Sequence, residues 1–218
     1  MSLSILFRDE LNGFYRSKVM LFLWVGLPLL SIIIYLAGSS SQGMPVAILS
    51  SVVVGTIGGA LASAMLAISL INERERRVYD LFLIRPVKRR DILFSKFLAI
   101  YLCIAIAGLL AIAVGVAADY LLTGLSKAID FNSLGQSLVI VFSMMAVSCS
   151  VGILIGTISP SVLVGVILVL YGGNQLAALV ILPALLLVNV AWFPPVMAGA
   201  LSAFVLLASV VVFNRREL

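Results

Sequence analysis

The sequence predicts an all-α integral membrane protein with six transmembrane helices. Three observations carry that prediction. The chain has 218 residues, of which 63% are hydrophobic and only 11% charged, with a mean hydropathy of +1.25; soluble domains carry roughly 25% charged residues, so a surface this poor in polar groups is solvated by lipid. No charge occurs from Val19 through Asn72, or from Phe131 through Asn214. The charge that exists is concentrated in Asn72–Lys96, NERERRVYDLFLIRPVKRRDILFSK, with eight basic and four acidic residues. At about 2.5–3.5 kcal/mol for a charge at the bilayer centre, burying these twelve would cost roughly 30 kcal/mol, so the stretch is expected to face water between membrane spans. Residues 1–218 read as one transmembrane domain.

The elements follow in order. Leu3, Phe7, Leu11 and Phe14 recur at spacings of four, four and three, with Arg8, Asp9, Asn12 and Arg16 between them; this predicts an amphipathic helix lying in the membrane surface over residues 1–18. The apolar run from Val19 to Ala37 exceeds a signal-peptide core, and Asp9 and Glu10 precede it, so it reads as a retained first span, 19–37. Basic residues flank both ends of the charge-free run 19–72, which places an even number of spans within it. The turn GSSSQGMP, Gly38–Pro45, divides the run, and the second span is expected at 45–71.

In the charged stretch, 72–96, Val78, Leu81 and Phe82 fall at i, i+3 and i+4, and Glu73 and Arg77 are placed as an i, i+4 pair. A short amphipathic helix is expected there, followed by a turn at Arg85-Pro86 and a new helix leading into the third span, 97–118. Asp119 to Ser133 forms a short polar loop. The 84 residues Phe131–Asn214 hold three further spans, 134–158, 161–181 and 196–213. Ser159-Pro160 and Phe193-Pro194-Pro195 mark the breaks between them, and 182–195 is too short to cross and reads as a broken, re-entrant segment anchored by Trp192. Thirteen of the fourteen Lys and Arg residues fall on one side of this arrangement, and only Lys127 on the other. The positive-inside rule then puts both termini in the cytoplasm of a multi-pass cell-membrane protein.

The chemistry available is narrow. There is no histidine, and every charge lies outside the proposed span cores, so ion-coupled carriage, intramembrane metal hydrolysis and serine hydrolysis all lack their groups. No catalytic or metal-binding residue is proposed. No GxxxxGK[ST] loop is present, so energy for uphill transport has to come from another subunit. The net charge of +5 sits beside membrane spans and sets topology rather than marking a nucleic-acid partner. Cys103 and Cys149 lie in apolar runs and read as small buried hydrophobes. Gly55/Gly59 and Gly152/Gly156 form two GxxxG motifs, which serve either packing within the chain or a dimer interface. Gly172-Gly173-Asn174-Gln175 places two amides inside the fifth span. Asn174 and Gln175 either line a substrate path or are satisfied at a helix kink.

The charged stretch resembles a motif of the type-2 ABC transporter permeases, the membrane subunits of ATP-binding-cassette exporters. Glu73, Arg74 and Glu75 match the motif's opening, Asp80 its later acid, Leu81 and Leu83 its leucines, Pro86, Val87 and Arg89 its turn, and Asp91, Ile92, Leu93 and Lys96 its close. Arg77, Lys88 and Ser95 depart from the pattern, and the ending FNRREL, Phe213–Leu218, is similar to the family's own. The resemblance implies that the 72–96 loop forms a coupling helix docking on a separate ABC ATPase subunit, with Glu73, Arg74, Glu75, Asp80, Leu81, Phe82, Pro86, Val87, Arg89, Asp91 and Lys96 carrying that contact. It also implies a second permease subunit, identical or not, with ATP and Mg bound by the ATPase and no cofactor in this chain. An ATP-independent carrier or channel, and a membrane scaffold or assembly factor, are the rival functions.

Overall fold

The computed structural model describes residues 3–15, 17–38, 46–75, 89–123, 131–173, 175–179 and 193–215. These residues form seven α-helices and no strand: α1 (Leu3–Tyr15), α2 (Lys18–Gly38), α3 (Val46–Glu75), α4 (Arg89–Thr123), α5 (Phe131–Ile158), α6 (Val162–Leu168) and α7 (Phe193–Arg215). Five helical stretches are long and apolar enough to cross a membrane, and six if the bent pair α1–α2 is taken as one span. The fold is that of an all-α membrane protein. The expected short helix within the charged loop lies in 76–88, outside the described residues, as do the first turn, 39–45, and residues 182–192 of the broken segment expected at 182–195.

The amphipathic pattern of α1 is realised in its burial. Phe7, Glu10, Leu11 and Phe14 are half-buried, whereas Arg8, Asp9, Asn12 and Gly13 are exposed. The chain then bends by 66° into α2. Ser17 makes the joint: its amide donates to Phe14 O (3.0 Å), and its carbonyl accepts from the amides of Met20 and Leu21. α2 packs on α4 and α3, with Trp24 Nε1 donating to the Cys103 carbonyl at 3.3 Å. Its other side exposes Leu21, Phe22, Val25, Leu29 and Ile33, an apolar face.

The centre of the bundle is the α3–α5 pair. Lipid tails are as apolar as leucine, so helices in a bilayer associate through close packing of small residues rather than through the hydrophobic effect. Both GxxxG motifs serve this contact. A Cβ on Gly59 would meet Ser148 Oγ at 2.7 Å, and one on Gly156 would meet the Ala67 Cα at 3.0 Å. Internal packing is therefore the use the structure makes of the two motifs. Cys103 and Cys149 are both buried free thiols.

Two helix boundaries differ informatively from the sequence expectation. α4 has 35 residues, a length of about 50 Å at 1.5 Å per residue, which exceeds a hydrocarbon core of about 30 Å; it starts at Arg89, as the expected new helix leading into the third span, but runs on to Thr123, past the expected span end at 118. α7 begins at Phe193, so Pro194 and Pro195 lie in its first turn rather than outside the helix. Proline is tolerated there because the first amides of a helix have no intrahelical partner. The break at Ser159-Pro160 separates α5 from α6. After Leu168 the helix widens into a π-helical turn, Val169–Gly173, where the paired glycines Gly172 and Gly173 loosen the backbone, and residues 175–179 resume α-helix.

Candidate functional site at the charged end of the bundle

The alternating direction of the helices brings the end of α3, the start of α4, the α5–α6 break and the end of α7 to one end of the bundle, where α1 also lies. Of the candidate coupling residues, Glu73, Arg74 and Glu75 form the last turn of α3, and Arg89 and Asp91 belong to the first turn of α4. Asp80, Leu81, Phe82, Pro86 and Val87 lie outside the described residues. Asp91 sits where an acid complements the helix N-terminus, and its Oδ1 is 3.6 Å from Arg90 Nε, an exposed pair of small consequence.

Lys96 corrects the expectation that every charge of the loop faces water. Its side chain is only 1% exposed; its Nζ lies 2.5 Å from Glu73 Oε1 and 2.7 Å from Glu10 Oε1. Ser69 Oγ donates to Glu73 Oε1 at 3.1 Å and lies 3.5 Å from Lys96 Nζ. The cost that predicts exposure applies to unpaired charge. Here two carboxylates and a hydroxyl satisfy the ammonium, and the aliphatic stem of the lysine packs in the bundle. The cluster joins three elements, α1 through Glu10, α3 through Glu73 and α4 through Lys96. Glu73 is thus committed across helices to Lys96; Arg77, its expected helical partner, is outside the described residues.

Glu10 and Lys96 each occupy a position on an apolar helix row. Glu10 falls between Phe7 and Phe14 at i+3 and i+7, and Lys96 continues the row Leu93, Ile100, Cys103. Charged residues at apolar-row positions near helix ends are the signal that sequence reading passed over. Ser95, one of the departures from the motif, is also buried, and its hydroxyl donates to Ile92 O at 2.9 Å.

Arg74, the neighbour of Glu73, points the other way around α3. Its guanidinium donates to the carbonyl of Ser159 at the α5–α6 break. A single turn of α3 therefore holds α1 and α4 on one side and the joint of α5 and α6 on the other.

The described part of the chain, from α3 to α7, corresponds to a known family. A family model described as ABC-2 family transporter protein matches residues 46–214. The chain belongs to the ABC-2 transporter family. As an ABC-2 protein it is a multi-pass membrane transport subunit, a permease that carries no catalysis of its own. No curated protein gives a significant match. Of the candidate path residues of this permease, Gln175 lies on the continuation of α6, exposed and two positions beyond the π turn. Asn174 is outside the described residues.

Proposed function

We propose that this chain is the membrane-spanning permease subunit of an ABC export transporter, forming the translocation path with a second permease subunit and driven by separate ATPase subunits through the 72–96 loop. The observation that carries the reading is the Lys96–Glu73–Glu10 cluster. A loop that receives force from a partner has to be fixed to the helices it moves. The cluster fixes both ends of this loop, the last turn of α3 and the second turn of α4, to each other and to the surface helix α1. Glu75, Asp80, Leu81, Phe82, Pro86, Val87, Arg89 and Asp91 then present alternating charge and an apolar patch to the ATPase, an arrangement that orients a docked partner. The charged end is cytoplasmic by the bias of its lysines and arginines. Nucleotide and Mg are bound by the ATPase. Asn174 and Gln175 line the path.

Purification from the native membrane in mild detergent, with mass spectrometry of what accompanies the chain, tests this. One nucleotide-binding ATPase per permease is the expected result. A permease that purifies alone and supports flux without ATP would replace this reading with an ATP-independent carrier.

A further inference from the structure

The contact between Arg74 and Ser159 has a setting that reaches beyond a single hydrogen bond. Ala67, Leu70, Ile71 and Arg74 stand at i, i+3, i+4 and i+7 and so share one face of α3. That face lies against the α5–α6 junction along its length. A Cβ on Gly156, in the last turns of α5, would meet Ala67 and Leu70 at 3.0 Å, and one on Gly165, in α6, would meet Ile71 Cδ1 at 2.6 Å and Ser159 Cβ at 3.4 Å. Ser159 itself is fully buried, and its hydroxyl has no hydrogen-bond partner among the described residues. Its amide still donates to Ile155 O at 2.8 Å, and Gly165 N donates to Ser161 O at 3.0 Å. Both helices are thus closed right up to the break, and Ser159 O is a terminal carbonyl that the helix itself leaves unsatisfied. The arginine that takes it is favoured by charge, since a cation complements a helix C-terminus.

We infer that Arg74 is a positioning residue that makes α6 follow the last turn of α3. The α5–α6 break is a hinge by its chemistry: Pro160 interrupts the helix, and Ser161 is extended (φ −142°, ψ 158°) with no side-chain cap on α6. Arg74 and Ile71 grip the two sides of that hinge. A displacement of the 76–88 segment therefore tilts α6 and carries the π turn and Gln175 with it. In this way the loop reaches the fifth span, to which it has no chain connection. The inference rests on the ABC permease reading for the source of the displacement, but not for the grip itself.

The experiment separates the two. Nitroxide labels at Asn72→Cys and Leu163→Cys, both exposed positions, in a full-length C103A/C149A background reconstituted in phosphatidylcholine–phosphatidylglycerol nanodiscs, report the grip by pulsed dipolar spectroscopy without any partner. A narrow distance is expected in the parent, a broadened one in R74A, and recovery in R74K; an R74A distribution as narrow as the parent's overturns the grip. A second pair, Leu102→Cys and Leu168→Cys, is read in the co-purified ATPase complex before and after trapping with ATP and vanadate. The expected result is a distance shift on trapping that R74A loses in those complexes that carry the ATPase. A shift of parental size in R74A, or no shift in the parent, overturns the transmission, and so would a purely structural role for Arg74. Absence of an ATPase from the parent preparation would remove the permease reading and the transmission with it, leaving the first pair to decide the grip.

Discussion

Gly152 stands against the backbone of Ser63: a Cβ at position 152 would meet the Ser63 carbonyl oxygen at 2.6 Å and its Cα at 2.7 Å. This is helix backbone on helix backbone, with no flexible side chain to give way. Substituting Gly152→Leu is expected to force α3 and α5 apart at a cost of about 3 kcal/mol, the upper part of the overpacking range. Thermal unfolding of the purified protein in mild detergent checks it. Gly199→Ala is the contrasting change. Nothing lies within 4 Å of a Cβ there, and Ala in mid-helix is expected to be neutral or stabilising by about 0.5 kcal/mol.

Lys96→Met removes the cation that, among the described residues, Glu10 and Glu73 share, and leaves their two carboxylates without it in a partly buried site. A loss of about 3 kcal/mol is expected from breaking a buried pair on one side. Glu10→Gln, which keeps an acceptor for the ammonium, should cost about 1 kcal/mol. The order of the two unfolding temperatures is the readout, and equal temperatures would show that the cluster carries no load.

The docking surface predicts a different phenotype from the brace. Leu81→Asp, or Arg89→Asp combined with Asp91→Arg, should abolish ATPase co-purification while leaving membrane insertion and thermal stability unchanged. Undiminished ATPase association in both variants would count against the loop as the docking site.

Gln175→Leu tests the path. The side chain is exposed and beyond the π turn, so the substitution should leave unfolding temperature unchanged. The rate of ATP hydrolysis by the co-purified complex is expected to change severalfold, since the helix it lies on is the one coupled to the hinge. An unaltered rate would remove Gln175 from the path.

Much of the helical layout was legible because hydropathy reads bilayer thickness directly. The break at Ser159-Pro160 was legible because proline interrupts a helix whatever surrounds it. Phe193-Pro194-Pro195 misled for the converse reason: proline also starts helices, and only the chain beyond it decides which. Gly55, Gly59, Gly152 and Gly156 announce close packing, but their spacing is the same whether the partner is another helix of the chain or another copy. Lys96 was illegible as a buried residue because its solvation is supplied by Glu10 and Glu73, one far away in sequence and both separated from it by apolar residues. A transfer cost computed residue by residue contains no entry for a counter-ion brought by another helix.

The α3–α5 pairing has a consequence for how the protein is made. α3 enters the membrane with its small-residue face already formed, but the face that fills it belongs to α5, and the whole of α4 is synthesised in between. Throughout that interval Gly55, Gly59 and Ser63 are covered by something other than their final neighbour. The Lys96 cluster needs only α1, α3 and the first turns of α4, so all of its members are synthesised before α5. Chain order therefore makes the contacts of the charged end available before those of the glycine seam.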